Sequence, residues 1–142
     1  MTDTLRLDIV SAEKQIFSGE AEMVFVTGEM GELGIAPGHS QLLTTLRPGF
    51  VRVVLPGKKE EVFYISGGMV EVQPYIVSVL ADTAMRADDI DEAAAIAAKE
   101  QAEKALAGKM SSMDIAKATV ELAEAVAQIR ALQHLKKKVR ID

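Results

Sequence analysis

Two histidines, a serine beside paired glycines, a glycine-rich stretch and a basic tail are the groups on which chemistry could rest in this chain. His39 follows Pro37 and Gly38, a place from which an imidazole can act as a base. No Ser or Cys stands in a recognisable pairing with it, however, and a histidine there more commonly ends a turn and bonds to backbone. His134 is far away in sequence and the chain has no cysteine, so neither a multi-histidine nor a thiolate metal site can be assembled. Ser66, in SGG, lacks the GxSxG frame of a nucleophile elbow. GEMGELG (28–34) spaces its glycines by three, which matches neither GxGxxG nor GxxxxGKS/T. We therefore expect no catalytic residue, no cofactor and no metal.

The basic tail is a stronger signal. Arg130, Lys136, Lys137, Lys138 and Arg140 fall within eleven residues, and no acid intervenes until Asp142. Such a cluster can be a solvated helix end complementing the dipole, or it can meet an acidic protein surface. Nucleic acid fits poorly: the net charge is -5 and no aromatic residue lies nearby to stack on a base.

The elements that must carry these residues divide the chain in two. Over 4–82, short segments rich in Val, Ile and aromatics alternate with FSGE, RPGF, PGKK, SGG and QP, which read as turns. TLRLDIV places Leu5, Leu7 and Ile9 on one face and Arg6 and Asp8 on the other. No long helical pattern interrupts these segments, so the expectation is an antiparallel β-sandwich over residues 1–86. GELGIAPGHSQLL (31–43) does not fit easily, because it combines loop glycines and a proline with several large apolar residues.

Residues 87–142 should form an antiparallel two-helix hairpin, giving an α+β fold with segregated halves. Residues 88–107 have no Gly, Pro or aromatic residue, and Asp88, Asp89, Asp91 and Glu92 crowd the expected first turn. Gly108 is placed to end that helix, and Ser111 with Asp114 has the spacing of a capping box opening a second. The second helix carries a seam at Ile115, Ala118, Leu122, Ala125, Ile129 and Leu132; the first carries Ala95, Ala98, Ala102 and Ala105. Alanine seams bury little. Each Ala in place of Leu forgoes about 2.4 kcal/mol at full burial, so the hairpin should form readily yet dock weakly.

VSAEKQIFSGE (10–20), GELGIAPGHSQLL (31–43), YISGGMVEV (64–72) and VSVLADTAMR (77–86), in this order and followed by a helical hairpin, resemble the epsilon-subunit family of bacterial F-type ATP synthases. The resemblance covers the whole chain and implies a non-catalytic subunit of the central stalk, the rotor that couples proton flow to ATP synthesis. It implies that the loop over 31–39 meets the membrane ring of c subunits through Gly31, Glu32, Leu33, Gly34 and His39, with Leu33 and Ile35 anchoring it to the core. One sandwich face would bind the gamma subunit. The hairpin would lie folded or extend into the alpha/beta catalytic head and block ATP hydrolysis, with Arg130, Lys136, Lys137 and Lys138 facing an acidic segment of the beta subunits.

Some family members bind ATP through an I/L-D-x-x-R-A motif. Here Ile90, Asp91, Glu92, Ala93, Ala94 and Ala95 stand there, and alanine replaces the arginine. Asp91, Arg86 and Arg130 remain as possible nucleotide contacts, so weak binding or none is expected. An ATP-sensing module is accordingly the second reading, and a small-ligand-binding sandwich, which would want aromatic platforms the chain lacks, is the third. No run of 18 apolar residues occurs, and MTDTLRLDIV lacks the basic and apolar regions of a signal peptide. The expected location is the cytoplasmic face of a bacterial inner membrane, reached only through the complex.

Overall fold

The computed structural model describes residues 3–108 and 111–141, with side chains through residue 135. Ten strands precede two long helices: β1 (Leu5–Ser11), β2 (Gln15–Ala21), β3 (Met23–Gly28), β4 (Gly31–Ile35), β5 (Leu42–Leu46), β6 (Gly49–Val54), β7 (Glu60–Ile65), β8 (Gly68–Val72), β9 (Ile76–Ala81), β10 (Ala84–Arg86), α1 (Glu92–Ala107) and α2 (Ser112–Ile141). A 3-10 turn, Ala87–Asp89, links the halves. The segregated α+β architecture expected from the sequence is observed.

The strands form one continuous sheet in the order β10-β7-β6-β3-β5-β8-β9-β1-β2, with β4 added to β3, and it folds over until β10 meets β1 and β2. Alternation supplies the filling. Leu5, Leu7 and Ile9 of β1, Val51 and Val53 of β6, and Val77 and Val79 of β9 all point into one core. Arg6 and Asp8 face outward as expected, joined through Ser18, whose hydroxyl receives Arg6 and donates to Asp8 at 2.6 Å each.

Three features depart from the sequence reading. The pairing is antiparallel except between β1 and β9, which run parallel with Leu7 opposite Val77; no turn joins these strands, so nothing local sets their relative direction. FSGE lies inside β2 rather than at a turn. Its Gly19 makes room for an aromatic ring, since a Cβ there would stand 3.4 Å from Phe17 Cζ, and Phe17 meets Phe63 edge-on across the fold at 5.6 Å. GELGI is a strand as well, the outer half of a β3–β4 hairpin closed by Glu29 and Met30.

The hairpin begins later than its acidic run suggested. Asp88 and Asp89 belong to the 3-10 turn, while Asp91 caps α1 by accepting from Ala94 N–H at 3.1 Å. Gly108 ends α1 as expected, although its φ of -91° is one any residue adopts. Ser111 accepts from Asp114 N–H at 3.2 Å and donates its hydroxyl to the Asp114 carboxylate at 2.9 Å, so the capping spacing holds. Between the helices, Ala95, Ala102, Ala118, Ala125 and Leu132 are buried. Ala98 and Ile115 are not. In α1 the contact steps through 95, 99, 102 and 106, spaced 4-3-4, which turns Ala98 outward. Ile115 lies in the first turn of α2 and is exposed.

Candidate interaction surfaces

The β3–β4 hairpin explains how glycines and large apolar residues coexist in GELGI. In a strand, alternate residues face opposite ways. Ile35 enters the core completely and Leu33 packs partly against it, as expected of the two anchors. Gly34 sits where a Cβ would lie 3.1 Å from Met23 Cε and 3.2 Å from Phe25 Cε1. Gly31 takes a φ of +132°, open only to glycine at low cost, and so closes the turn.

At this tip Gly31, Glu32 and Leu33 come together in a shallow groove with Gly28, Met30, Leu42 and Thr44. Glu32 and Gly34 are exposed. Met30, not singled out in the sequence, is 96% exposed at the turn itself. His39 stands apart from this groove. It is half-buried in a separate turn, its N–H donating to Ala36 O at 3.1 Å and its Nδ1 lying 2.7 Å from Ser40 O. The turn-ending role is therefore the one it fills in the chain. Ser66 is likewise engaged by backbone, accepting from Thr83 N–H at 2.9 Å.

The sandwich has two outer faces of unequal fate. On β5, β8 and β9, Leu43, Met69 and Leu80 are exposed on one side of the sheet, with Met69 directly opposite both Thr45 and Leu80. Val10 and Ala12 complete a groove beside Met69 and Leu80. The sequence held a usable signal: large apolar residues stand at the outward positions of alternating strands, where polar ones were due.

The other face, on β6 and β7, is covered by α2. Phe50, Val62 and Tyr64, with Met85, Ala87 and Ile90, pack against Ala127, Ala131, Leu132 and Leu135. Two polar contacts are set into this apolar surface. The His134 ring stacks on Phe50 with centroids 5.3 Å apart and 29° between planes. Tyr64 is 1% exposed, with Gln128 and Glu124 of α2 beside it. Burial, reinforced by the nearby Glu124 carboxylate, pushes the Tyr64 hydroxyl up to about 12, against the lowering effect of Gln128. Ile129 and Leu132 of the expected seam belong to this sheet-facing cluster, and Ala127, Ala131 and His134, which resemble a solvated helix face in the sequence, join them.

The remaining candidates are scattered. Arg86 is 3.2 Å from Glu61 and lies over the Phe63 ring at 5.1 Å from its centroid. Asp91 is engaged at the α1 cap, and Arg130 is exposed. Lys136, Lys137 and Lys138 fall outside the residues whose side chains are described. Among the described residues no cluster of His, Cys, Asp or Glu could hold a metal, and no helix is long and apolar enough to cross a membrane.

Comparison with known proteins gives these surfaces a context. The beta-sandwich domain of the ATP synthase delta/epsilon chain matches residues 4–87, and the long alpha-helix domain of the same chain matches 88–133. An ATP synthase epsilon chain from Legionella pneumophila (strain Corby) is 57% identical over 140 residues, covering 99% of this chain and 100% of the relative. One from Nitrosococcus oceani is 55% identical over 139 residues, covering 98% and 99%. A chain in the Euglena gracilis mitochondrial ATP synthase (OSCP/F1/c-ring) shares the fold with a TM-score of 0.82 at 22% identity, covering 91% of this chain and 81% of its own. Two domain matches in sequence order and full-length relatives above half identity lead to one conclusion: the chain belongs to the epsilon-chain family of ATP synthases.

Proposed function

We propose that this chain is a non-catalytic central-stalk subunit that couples proton translocation through the c-ring to ATP synthesis in the catalytic head. The bare face carrying Leu43, Met69 and Leu80 is the seat of the gamma subunit, since an exposed apolar cluster of this kind needs a partner. The β3–β4 tip, with Gly31, Glu32, Leu33 and Gly34, meets the polar loops of the c-ring, and His39 supports the neighbouring turn. The subunit sits at the cytoplasmic face of a bacterial inner membrane, held there by the complex.

The hairpin is the regulatory part. It leaves the sandwich, extends along gamma into the alpha/beta head and inhibits ATP hydrolysis, with Arg130, Lys136, Lys137 and Lys138 meeting an acidic segment of beta. The observation that carries this reading is the composition of the docked contact: among the described residues, four of its eight buried side chains are alanines, against three of eighteen in the sandwich core. A switch from 1:99 to 99:1 needs about 5.5 kcal/mol of differential interaction, which contacts with gamma and beta can supply against a contact this rich in alanine. The test is ATP hydrolysis by a head stripped of this subunit, titrated with the full chain and with a version ending at Ala87. Inhibition by the full chain alone supports the reading; equal behaviour of the two, both bound to gamma, removes it.

Nucleotide sensing on the folded hairpin is the weaker reading. Arg86 is engaged with Glu61 and Asp91 with the helix cap, and alanine stands where the motif has arginine. Calorimetry with ATP on the isolated chain decides it, and millimolar or tighter binding would restore it.

A further inference from the structure

Strand pairing sets the outward residues of the bare face in rows, because residues opposite one another on neighbouring strands share a face. One row runs Thr45, Met69, Leu80 and Val10 across β5, β8, β9 and β1. It is mainly apolar. The next row, two residues along each strand, runs Leu43, Glu71, Ser78 and Asp8.

Two carboxylates stand in this second row, and the chain treats them differently. Asp8 has partners of its own: Arg6 lies 3.5 Å away and Ser18 donates to it at 2.6 Å. Glu22, Glu60 and Glu61 likewise each have a cation of the same chain within 3.2 Å. Glu71 is exposed and has no ion pair among the described residues; the Gln73 amide donates to one of its oxygens at 3.0 Å. Yet it stands directly opposite Leu43, and two residues, or about 7 Å, from Met69.

A partner that seals Leu43, Met69 and Leu80 also takes water from Glu71, and a carboxylate covered without a counter-charge is costly. We propose that Glu71 is the specificity residue of the gamma seat, met by a lysine or arginine of gamma that stands about 7 Å from an apolar side chain seated at Met69 and Leu80. The groove lined by Leu43, Glu71 and Gln73 receives the cation, and the groove beside Val10, Met69 and Leu80 receives the apolar group. The cation's aliphatic stem lies along the apolar surface between them. The same charge disfavours a second copy of this chain as the occupant. Two-fold pairing would set the face against itself, and its Arg6 is already engaged by Asp8 and Ser18. The proposal rests on the reading that gamma covers this face, and the experiment separates the two.

Full-length chains carrying Glu71→Gln, Glu71→Lys or Leu80→Asp are titrated with gamma at low and high salt, and each free chain is sedimented. Glu71→Gln should weaken binding about tenfold and Glu71→Lys about a hundredfold or more, since each leaves the gamma cation unpaired and the second repels it. High salt should weaken the parent complex more than the Glu71→Gln complex, because the paired charges are screened. The thermal midpoint of the free chain should not move, as the position is exposed. Glu71→Gln binding as tightly as the parent, or with the same salt dependence, overturns the proposal, while loss of binding with Leu80→Asp still keeps gamma on this face. Normal binding by Leu80→Asp removes gamma from the face and the proposal with it. A dimer of the free chain that Glu71→Lys dissociates would assign the face to a second copy and overturn the proposal as well.

Discussion

The outer faces of the sandwich are built from neighbouring strands of one sheet, yet they are dressed in opposite ways. The face on β5, β8 and β9 shows Leu43, Met69 and Leu80 to solvent. The face on β6 and β7 is covered by its own chain, through Ala127, Ala131, Leu132 and Leu135, with the His134 ring stacked on Phe50. The first face leaves large apolar side chains open, while the second is closed by a helix that mixes leucines with alanines. Affinity concentrates where large apolar side chains are desolvated. This division suits a protein that stays fixed to one partner and changes its hold on another part of itself.

Several experiments would break or sharpen that contrast. Leu80→Asp should cause the largest effect, costing 2 kcal/mol or roughly thirtyfold or more in gamma affinity. The thermal midpoint of the free chain should barely move, because the position is 55% exposed. Titration with gamma and a melting curve check both halves; a variant that binds gamma normally puts the gamma seat elsewhere. On the covered face, Ala131 is fully buried against the sheet. Ala131→Leu should overpack that contact by about 1–3 kcal/mol and free α2 to limited proteolysis while the sandwich resists.

The covered face should also answer to alkaline pH. Tyr64 ionises near 10.0 when released and near 12 when docked, so the docked state holds its proton longer. Docking is then fully favoured below pH 10 and weakens as pH rises from 10 to 12. Tyr64→Phe should abolish that dependence, as read by limited proteolysis of α2 at pH values on either side of 10. A smaller effect is expected at the base of the hairpin. Asp91→Ala removes the α1 cap and should cost about 1 kcal/mol of helix stability, seen by circular dichroism, without altering ATP binding. Smallest of all for the isolated chain is Glu32→Gln at the exposed tip. It should leave stability within about 0.5 kcal/mol and lower only coupled ATP synthesis in the assembled complex.

Much of this molecule was legible before any coordinates. Leu5, Leu7 and Ile9 alternate and lie in the core; Ser111 and Asp114 cap α2 at the expected spacing; the helical half is separate from the strand half. These features depend on residues close in sequence, whose periodicity and backbone preferences act locally. What the sequence left undecided depends on partners far along the chain. FSGE and GELGI look like turns because glycine signals flexibility, but their glycines make room for Phe17, Met23 and Phe25 in extended strands. The parallel match of β1 with β9 is set by closure of the sheet rather than by a connecting turn. Most of all, Ala127, Gln128, Ala131 and His134 resemble a solvated helix face until Tyr64 and Phe50 are placed against them. Local periodicity determined which elements this chain forms. Tertiary contact alone decided which faces are covered, because burial is a property of two surfaces and the sequence presents them one at a time.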